Sequence, residues 1–312
     1  MPSLRWTVRP GDGDTVADVL ARAGADVTAV RDGRVFLGPR RVKQGDERVR
    51  PGDVVSVAAP LEGAAEAATI LAQSGDLVAA DKPAGIPTIP DHAGAAHSLL
   101  ARVARALSLE PARVHPTSRL DRDVSGVVVF ALSASARERL QRARAEGTYA
   151  RRYLAITSRA PSPGAGVWDA RIGRARDPRL RAVGGRDATD ATTRYAVAGV
   201  APGGQAILGV EPITGRTHQI RLHASHAGAP LLGDRAYGGP TRLTLPTGRV
   251  LAPGRIALHA ARVVVPGERG ARLPFEVRSP LPSELAELWS ALGGEAAAWD
   301  LGLSCVLSSP SP

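Results

Sequence analysis

One cysteine, Cys305, occurs in the 312 residues, so neither an intramolecular disulfide framework nor a cysteine-rich zinc site can form. No apolar run approaches the roughly 18 residues that a membrane-spanning helix needs. The start, Met1-Pro2-Ser3-Leu4-Arg5-Trp6, has no apolar stretch behind its charge, which argues against a secretory leader. A soluble protein of the reducing cytoplasm is therefore expected. Also missing are the Gly-x-x-x-x-Gly-Lys-Ser/Thr phosphate loop, the His-Glu-x-x-His zinc motif and a dinucleotide fingerprint. Nothing in the chain demands ATP, a metal or NAD, and no cofactor is expected. Lysine is nearly absent too: Lys43 and Lys82 are the only two, so 38 of the 40 basic residues are arginine.

What is present is ordinary for a globular chain, 44% hydrophobic and 22% charged residues, with a formal charge of +10. That excess favours a polyanionic partner. Ala and Gly are also abundant, and arginine enriched together with them is a pattern that genomic base composition alone can produce. The charge is nonetheless uneven: residues 101–160 hold 12 arginines against the acids Glu110, Asp121, Asp123, Glu138 and Glu146.

The first 60 residues read as a small unit. Thr15 caps a helix through Val16, Val19 and Leu20 that ends at Gly24, and short strands follow around Val35 and Val54. Residues 61–68, rich in small side chains, read as a linker. From 69 to 293 the chain is strand-rich, with helices at His97–Leu107 and Ala134–Glu146, the second capped by Ser133. Helices and strands do not alternate regularly, so the pattern predicts an α+β fold with a largely antiparallel or mixed sheet. Residues 294–312 end in Ser-Ser-Pro-Ser-Pro and are expected to form a flexible tail.

Three segments stand out chemically. Arg119-Leu120-Asp121-Arg122-Asp123-Val124-Ser125-Gly126 packs two carboxylates and two arginines directly before an apolar strand. Alone it fits a solvated loop, but a carboxylate between two arginines is held ionised, as a nucleophile or base requires. Thr214-Gly215-Arg216-Thr217-His218-Gln219-Ile220-Arg221-Leu222-His223 starts on a turn, with Thr217 placed as a helix cap. His218 and His223 are five apart and miss the i, i+4 spacing of a paired metal site. The third is the turn Lys82-Pro83-Ala84-Gly85-Ile86.

In this order, the three segments resemble the signatures of the RluA class of pseudouridine synthases, over about residues 68–290. Arg151-Arg152-Tyr153-Leu154-Ala155 is similar to that family's basic-x-Tyr-x-Ala strand, and Leu232-Gly233-Asp234-Arg235-Ala236-Tyr237-Gly238 to its Gly-Asp-x-x-Tyr-Gly loop. The N-terminal unit resembles, more weakly, the ribosomal protein S-four-like RNA-binding module. Ser118, Val124, Asp81 and Arg151 depart from the family pattern at positions where His, Thr, Asn and Lys are usual.

The resemblance implies a pseudouridine synthase-like catalytic domain that isomerises uridine in structured RNA, ribosomal first and transfer RNA second; separately, a monomer is expected. The N1–C1′ bond breaks, the uracil turns, and C5 takes its place on C1′. By the same match Asp121 is the catalytic carboxylate, either attacking C1′ or removing a neighbouring sugar proton. Arg221 pairs with it as a second catalytic residue, and Tyr153, the third, stacks on the uracil and assists the proton loss at C5. Arg119 fills the gap left by a flipped base, Arg122 and Lys82 contact RNA, and Ile220 or Leu222 lines the apolar side of the pocket. Two other readings compete. An aspartate-nucleophile phosphatase would use Asp121 and Asp123, but its strand should precede that pair rather than follow it as Val127–Leu132 does. A catalytically idle RNA-binding or ribosome-assembly protein would keep the fold without the chemistry.

Overall fold

The computed structural model describes residues 2–31, 33–58, 66–91, 95–267 and 274–305. They form two units, one of residues 1–69 with 86–119 and one of 70–85 with 120–312. The sequence places the break at 61–68, of which 61–65 lie outside the described residues. Residues 86–119 group with the N-terminal part, to which Arg102 is tied: its guanidinium pairs with Glu66 and its carbonyl accepts from the Ala68 amide.

In the first unit, strands Pro2–Thr7, Val54–Ala58, Val35–Leu37 and Arg40–Arg41 form a sheet in that order. Helix Val16–Arg22 begins with a reciprocal capping box: the Thr15 hydroxyl accepts from the Asp18 amide, and the Asp18 carboxylate accepts from the Thr15 amide. Val16, Val19 and Leu20 recur on one face and are fully buried with Val35 and Val55.

A large mixed sheet organises the second unit, as the α+β pattern predicts. Its order is Ala165–Asp169, Thr192–Val200, Ala206–Pro212, Ala150–Thr157, Leu258–Val265, Ser125–Ala131, Leu77–Lys82, Thr69–Ser74, with Phe275–Arg278 also alongside Leu258–Val265. The first five strands pair antiparallel, whereas Leu258–Val265 meets Ser125–Ala131 in parallel. All seven residues of Ser125–Ala131 are buried, which is why its sequence reads as one apolar run instead of alternating. At the parallel crossing Gly126 has φ +118°, and a Cβ there would lie 2.2 Å from the Ala260 carbonyl oxygen. Only glycine fits.

Two features depart from the sequence reading. Strands Ile172–Arg174, Arg181–Val183 and Arg186–Thr189 make a separate small sheet; they are too short and arginine-rich to show a period. The expected tail is also corrected: helix Ala297–Ser304 buries Ala298 and Trp299 in a core with Leu154, Ile156, Ile207 and Trp289. Burial of an indole outweighs the weak helix signal of Ala-Ala-Trp-Asp-Leu-Gly. Residues 306–312 lie outside the described residues.

Candidate active site

The loop carrying Asp121 is pinned at both ends by apolar side chains, Leu120 and Val124, which are 7% and 2% exposed. Between them Arg122 and Asp123 form an exposed turn, closed by the Val124 amide donating to the Asp121 carbonyl at 3.1 Å. Behind the turn lies Lys82, fully buried, whose Nζ donates to the carbonyls of Pro83 and Arg122, both at 2.9 Å. The Gly85 amide adds a second donor to the Arg122 carbonyl at 2.8 Å, and Arg122 returns a bond to the Gly85 carbonyl at 3.1 Å. The expectation that Lys82 contacts RNA is therefore corrected. Two of its N–H donors grip the loop, and the side chain is fully buried rather than presented to a phosphate chain.

Burial pushes the Lys82 pKa down to about 7, against the charges of Asp123 and Asp121, which act to raise it. In the unfolded chain it titrates near its ordinary 10.5. Between those values the unfolded state holds the extra proton, so Lys82 makes stability rise with pH, its penalty being full below about pH 7. Lys82→Met is expected to flatten that rise. Urea unfolding of both proteins at pH 7 and pH 9.5 measures it, and equal gains in the two would show that Lys82 is not the source.

Arg221 comes from helix Gln219–His226 and is 7% exposed. Its guanidinium forks between two carboxylates: Nε and Nη2 donate to Asp234 at 2.7 and 2.8 Å, and Nη1 donates to Asp121 Oδ2 at 2.8 Å. Burial alone would lower the Arg221 pKa, but the Asp234 hydrogen bonds and the charges of Asp121 and Asp234 outweigh it and raise it. Asp234 is 1% exposed, whereas a quarter of the Asp121 side chain stays open. Asp121 Oδ1 accepts no hydrogen bond among the described residues. One oxygen is thus held and the other is available for chemistry.

Tyr153 lies on strand Ala150–Thr157, opposite Ala260, which in turn faces Gly126. This row across three strands sets the ring at the level where the Asp121 loop enters the sheet. Burial raises the Tyr153 phenol's pKa, with the negative charge of Asp121 contributing, so the ring is a neutral, mostly apolar surface.

The remaining expected residues fall into place unevenly. Arg119 and Arg122 are exposed, as contacts to a phosphate chain require. Ile220 and Leu222 are both buried, and Leu222 packs with Ile172, Ala191 and Tyr237. Thr217 is not the helix cap; His218 takes that position with φ 60°, and the helix starts at Gln219. His223 is a satisfied structural residue, its ring bonded to Thr193 Oγ1 and the Ala170 carbonyl.

Sequence reasoning assigned no role to Asp234, Tyr237 or His218, although the first two stood in a matched loop. A signal was available: Gly233 (φ +76°) and Gly239 flank that loop, and a Cβ on Gly239 would lie 1.9 Å from the Leu231 carbonyl oxygen. A loop so tightly constrained places a side chain for a reason.

Residues 76–226 match the RNA pseudouridylate synthase family. The chain is 31% identical to the ribosomal large subunit pseudouridine synthase D of Xanthomonas campestris, over 86% of this chain and 84% of that protein. It is 38% identical to the chloroplastic RNA pseudouridine synthase 2 of Oryza sativa, covering 60% of this chain but only 46% of the rice protein. Among solved structures, human RNA pseudouridylate synthase domain containing 4 superimposes with a TM-score of 0.59 at 27% identity, covering 73% of this chain and 94% of that one.

Proposed function

The chain belongs to the RNA pseudouridine synthase family, and from that premise we propose that it isomerises a uridine of structured ribosomal RNA, with Asp121 as the reacting carboxylate. The observation that carries this reading is the Arg221 fork. A carboxylate in a partly closed pocket is neutralised by desolvation unless a cation holds its charge. Arg221 supplies that cation to Asp121 and is itself fixed by the buried Asp234. Oδ1 then remains to meet the sugar, by attack on C1′ or by removal of the adjacent proton.

Tyr153 offers a face on which uracil stacks, and exposed arginines, Arg119 and Arg122 among them, supply sequence-independent attraction to phosphates. The 31% identity to a protein named for the large ribosomal subunit supports a ribosomal target. The cytoplasm, on the sequence grounds given above, and a monomeric state complete the proposal.

The test uses RNA tritiated at uridine C5. Joining C5 to C1′ expels that hydrogen, so isomerisation releases tritium to water. Release that persists in excess EDTA without nucleotide is expected, because side chains fill every role. Complete, metal-reversible inhibition on an RNA that folds without magnesium would favour the phosphatase-like reading, and no release from any ribosomal RNA would favour the idle binding protein. Mapping pseudouridines in cells with and without the protein then identifies the site.

Arg119→Ala is expected to weaken binding to a structured stem-loop and to leave a flexible single strand converted at nearly the wild-type rate, since only a stacked base needs its place filled. Equal losses on both substrates would contradict that role.

A further inference from the structure

Next to Asp121 stands His218, whose backbone is in the left-handed region, φ 60°. A non-glycine residue there needs surroundings that hold it. Gln219 supplies them. Its Oε1 accepts from the Thr214 hydroxyl at 2.7 Å and the Arg216 amide at 2.9 Å, and its Nε2 donates to the Thr192 carbonyl and Thr193 Oγ1, both at 2.9 Å. Four bonds fix the turn and so fix where the imidazole points. Its Nδ1 lies 2.7 Å from the Tyr237 hydroxyl, and its Nε2 lies 3.8 Å from Asp121 Oδ2.

The Tyr237 hydroxyl links the ring to the backbone. The Arg181 backbone amide donates to the Tyr237 oxygen at 2.9 Å. We assign the phenol's own proton to the 2.7 Å contact with His218 Nδ1, which makes Nδ1 the acceptor. With Nδ1 accepting, a neutral ring carries its hydrogen on Nε2, the nitrogen that faces Asp121. The charged groups around the ring are Asp121 and Asp234 on one side of the balance and Arg221 and Arg181 on the other, with Tyr237 against Nδ1. Burial is the largest influence and lowers the ring's pKa, so the neutral form holds at neutral pH.

Resting on the reading of Asp121 as the reacting carboxylate, we propose that His218 is a positioning residue, whose Nε2–H, fixed by the Arg181–Tyr237 chain, joins Arg221 on Asp121 Oδ2 and turns Oδ1 toward the sugar. At 3.8 Å the contact is longer than a hydrogen bond. Such contacts tighten when substrate fills the site. Both donors address the same oxygen, which gives the carboxylate one orientation.

The experiment compares wild type with Tyr237→Phe, His218→Gln, His218→Ala and the double variant His218→Ala/Tyr237→Phe, all full length. Single-turnover tritium release is followed across pH, with RNA affinity measured separately, and the ring tautomer is read by NMR on protein with ¹⁵N-labelled histidine. Tyr237→Phe should lower the rate on the order of tenfold, as loss of an outer hydrogen-bond partner does, with RNA affinity kept. The His218 ring, followed by the same NMR, should titrate at higher pH in that variant, because the lost O–H···Nδ1 bond favoured the neutral form. His218→Gln retains an N–H donor and should outperform His218→Ala. The double variant should be no slower than His218→Ala, since Tyr237 acts through His218.

A His218→Ala rate within twofold of wild type overturns the proposal, as does equal impairment of the Gln and Ala variants with loss of RNA affinity. Should the wild type release no tritium, the assignment of Asp121 fails instead. The Nε2–H signal of His218 and its shift in Asp121→Asn still decide the contact in that case, and an Nδ1–H tautomer, or a signal blind to Asp121→Asn, overturns it.

Discussion

Asp121→Asn is expected to lower isomerisation by several powers of ten, the scale seen when a unique nucleophile or base is removed, while the fold and most RNA affinity survive. The substitution changes little volume and leaves an amide oxygen that still accepts from Arg221. It removes the negative charge and the free oxygen that does not engage Arg221. Single-turnover tritium release and filter binding on the same RNA separate the two effects. Turnover within tenfold of wild type would mean that another group does the chemistry.

Arg221→Ala is expected to lower stability as well as rate. It leaves Asp234, 1% exposed, without the fork it accepts from, and Asp121 without its cation. Breaking a buried pair from one side costs about 3–5 kcal/mol. Arg221→Lys should recover only part of this, because one ammonium cannot present two parallel donors to Asp234 and a third to Asp121. Denaturant unfolding gives the stability loss, and the rate should fall further than in Arg119→Ala. An Arg221→Ala protein as stable as wild type would show that the Arg221–Asp234 pair contributes nothing to the fold.

The Asp121 loop was legible in the sequence because its determinants are local: apolar anchors at Leu120 and Val124, charges between them, and a buried strand directly after. The α+β class was legible for a similar reason, since long apolar strands such as Ser125–Ala131 need no partner to be recognised. Lys82 was misread because a lysine beside a Pro-x-Gly turn looks solvent-exposed; its burial depends on carbonyls presented by Pro83 and by Arg122, 40 residues away. The fork of Arg221 was half legible. Asp121 lies 100 residues from it and Asp234 only 13, yet an Asp in a glycine-rich loop carries no mark of burial. Helix Ala297–Ser304 escaped because one indole, Trp299, fixes it to the core without any periodic stripe.

The strand Ser125–Ala131 is buried along its whole length, and its second residue, Gly126, meets Ala260 too closely for any side chain. Amides in such a strand exchange with solvent only through large-scale opening of the protein. The carboxylate that precedes it by four residues is therefore anchored to a buried, close-packed strand, which limits how far its loop can adjust to a misfitting nucleotide. In the reading proposed above, deformation falls on the RNA. Discrimination among uridines then follows the few kcal/mol that each one needs to leave its stack: a uridine in a loop or beside a mismatch is converted ahead of one in a continuous helix.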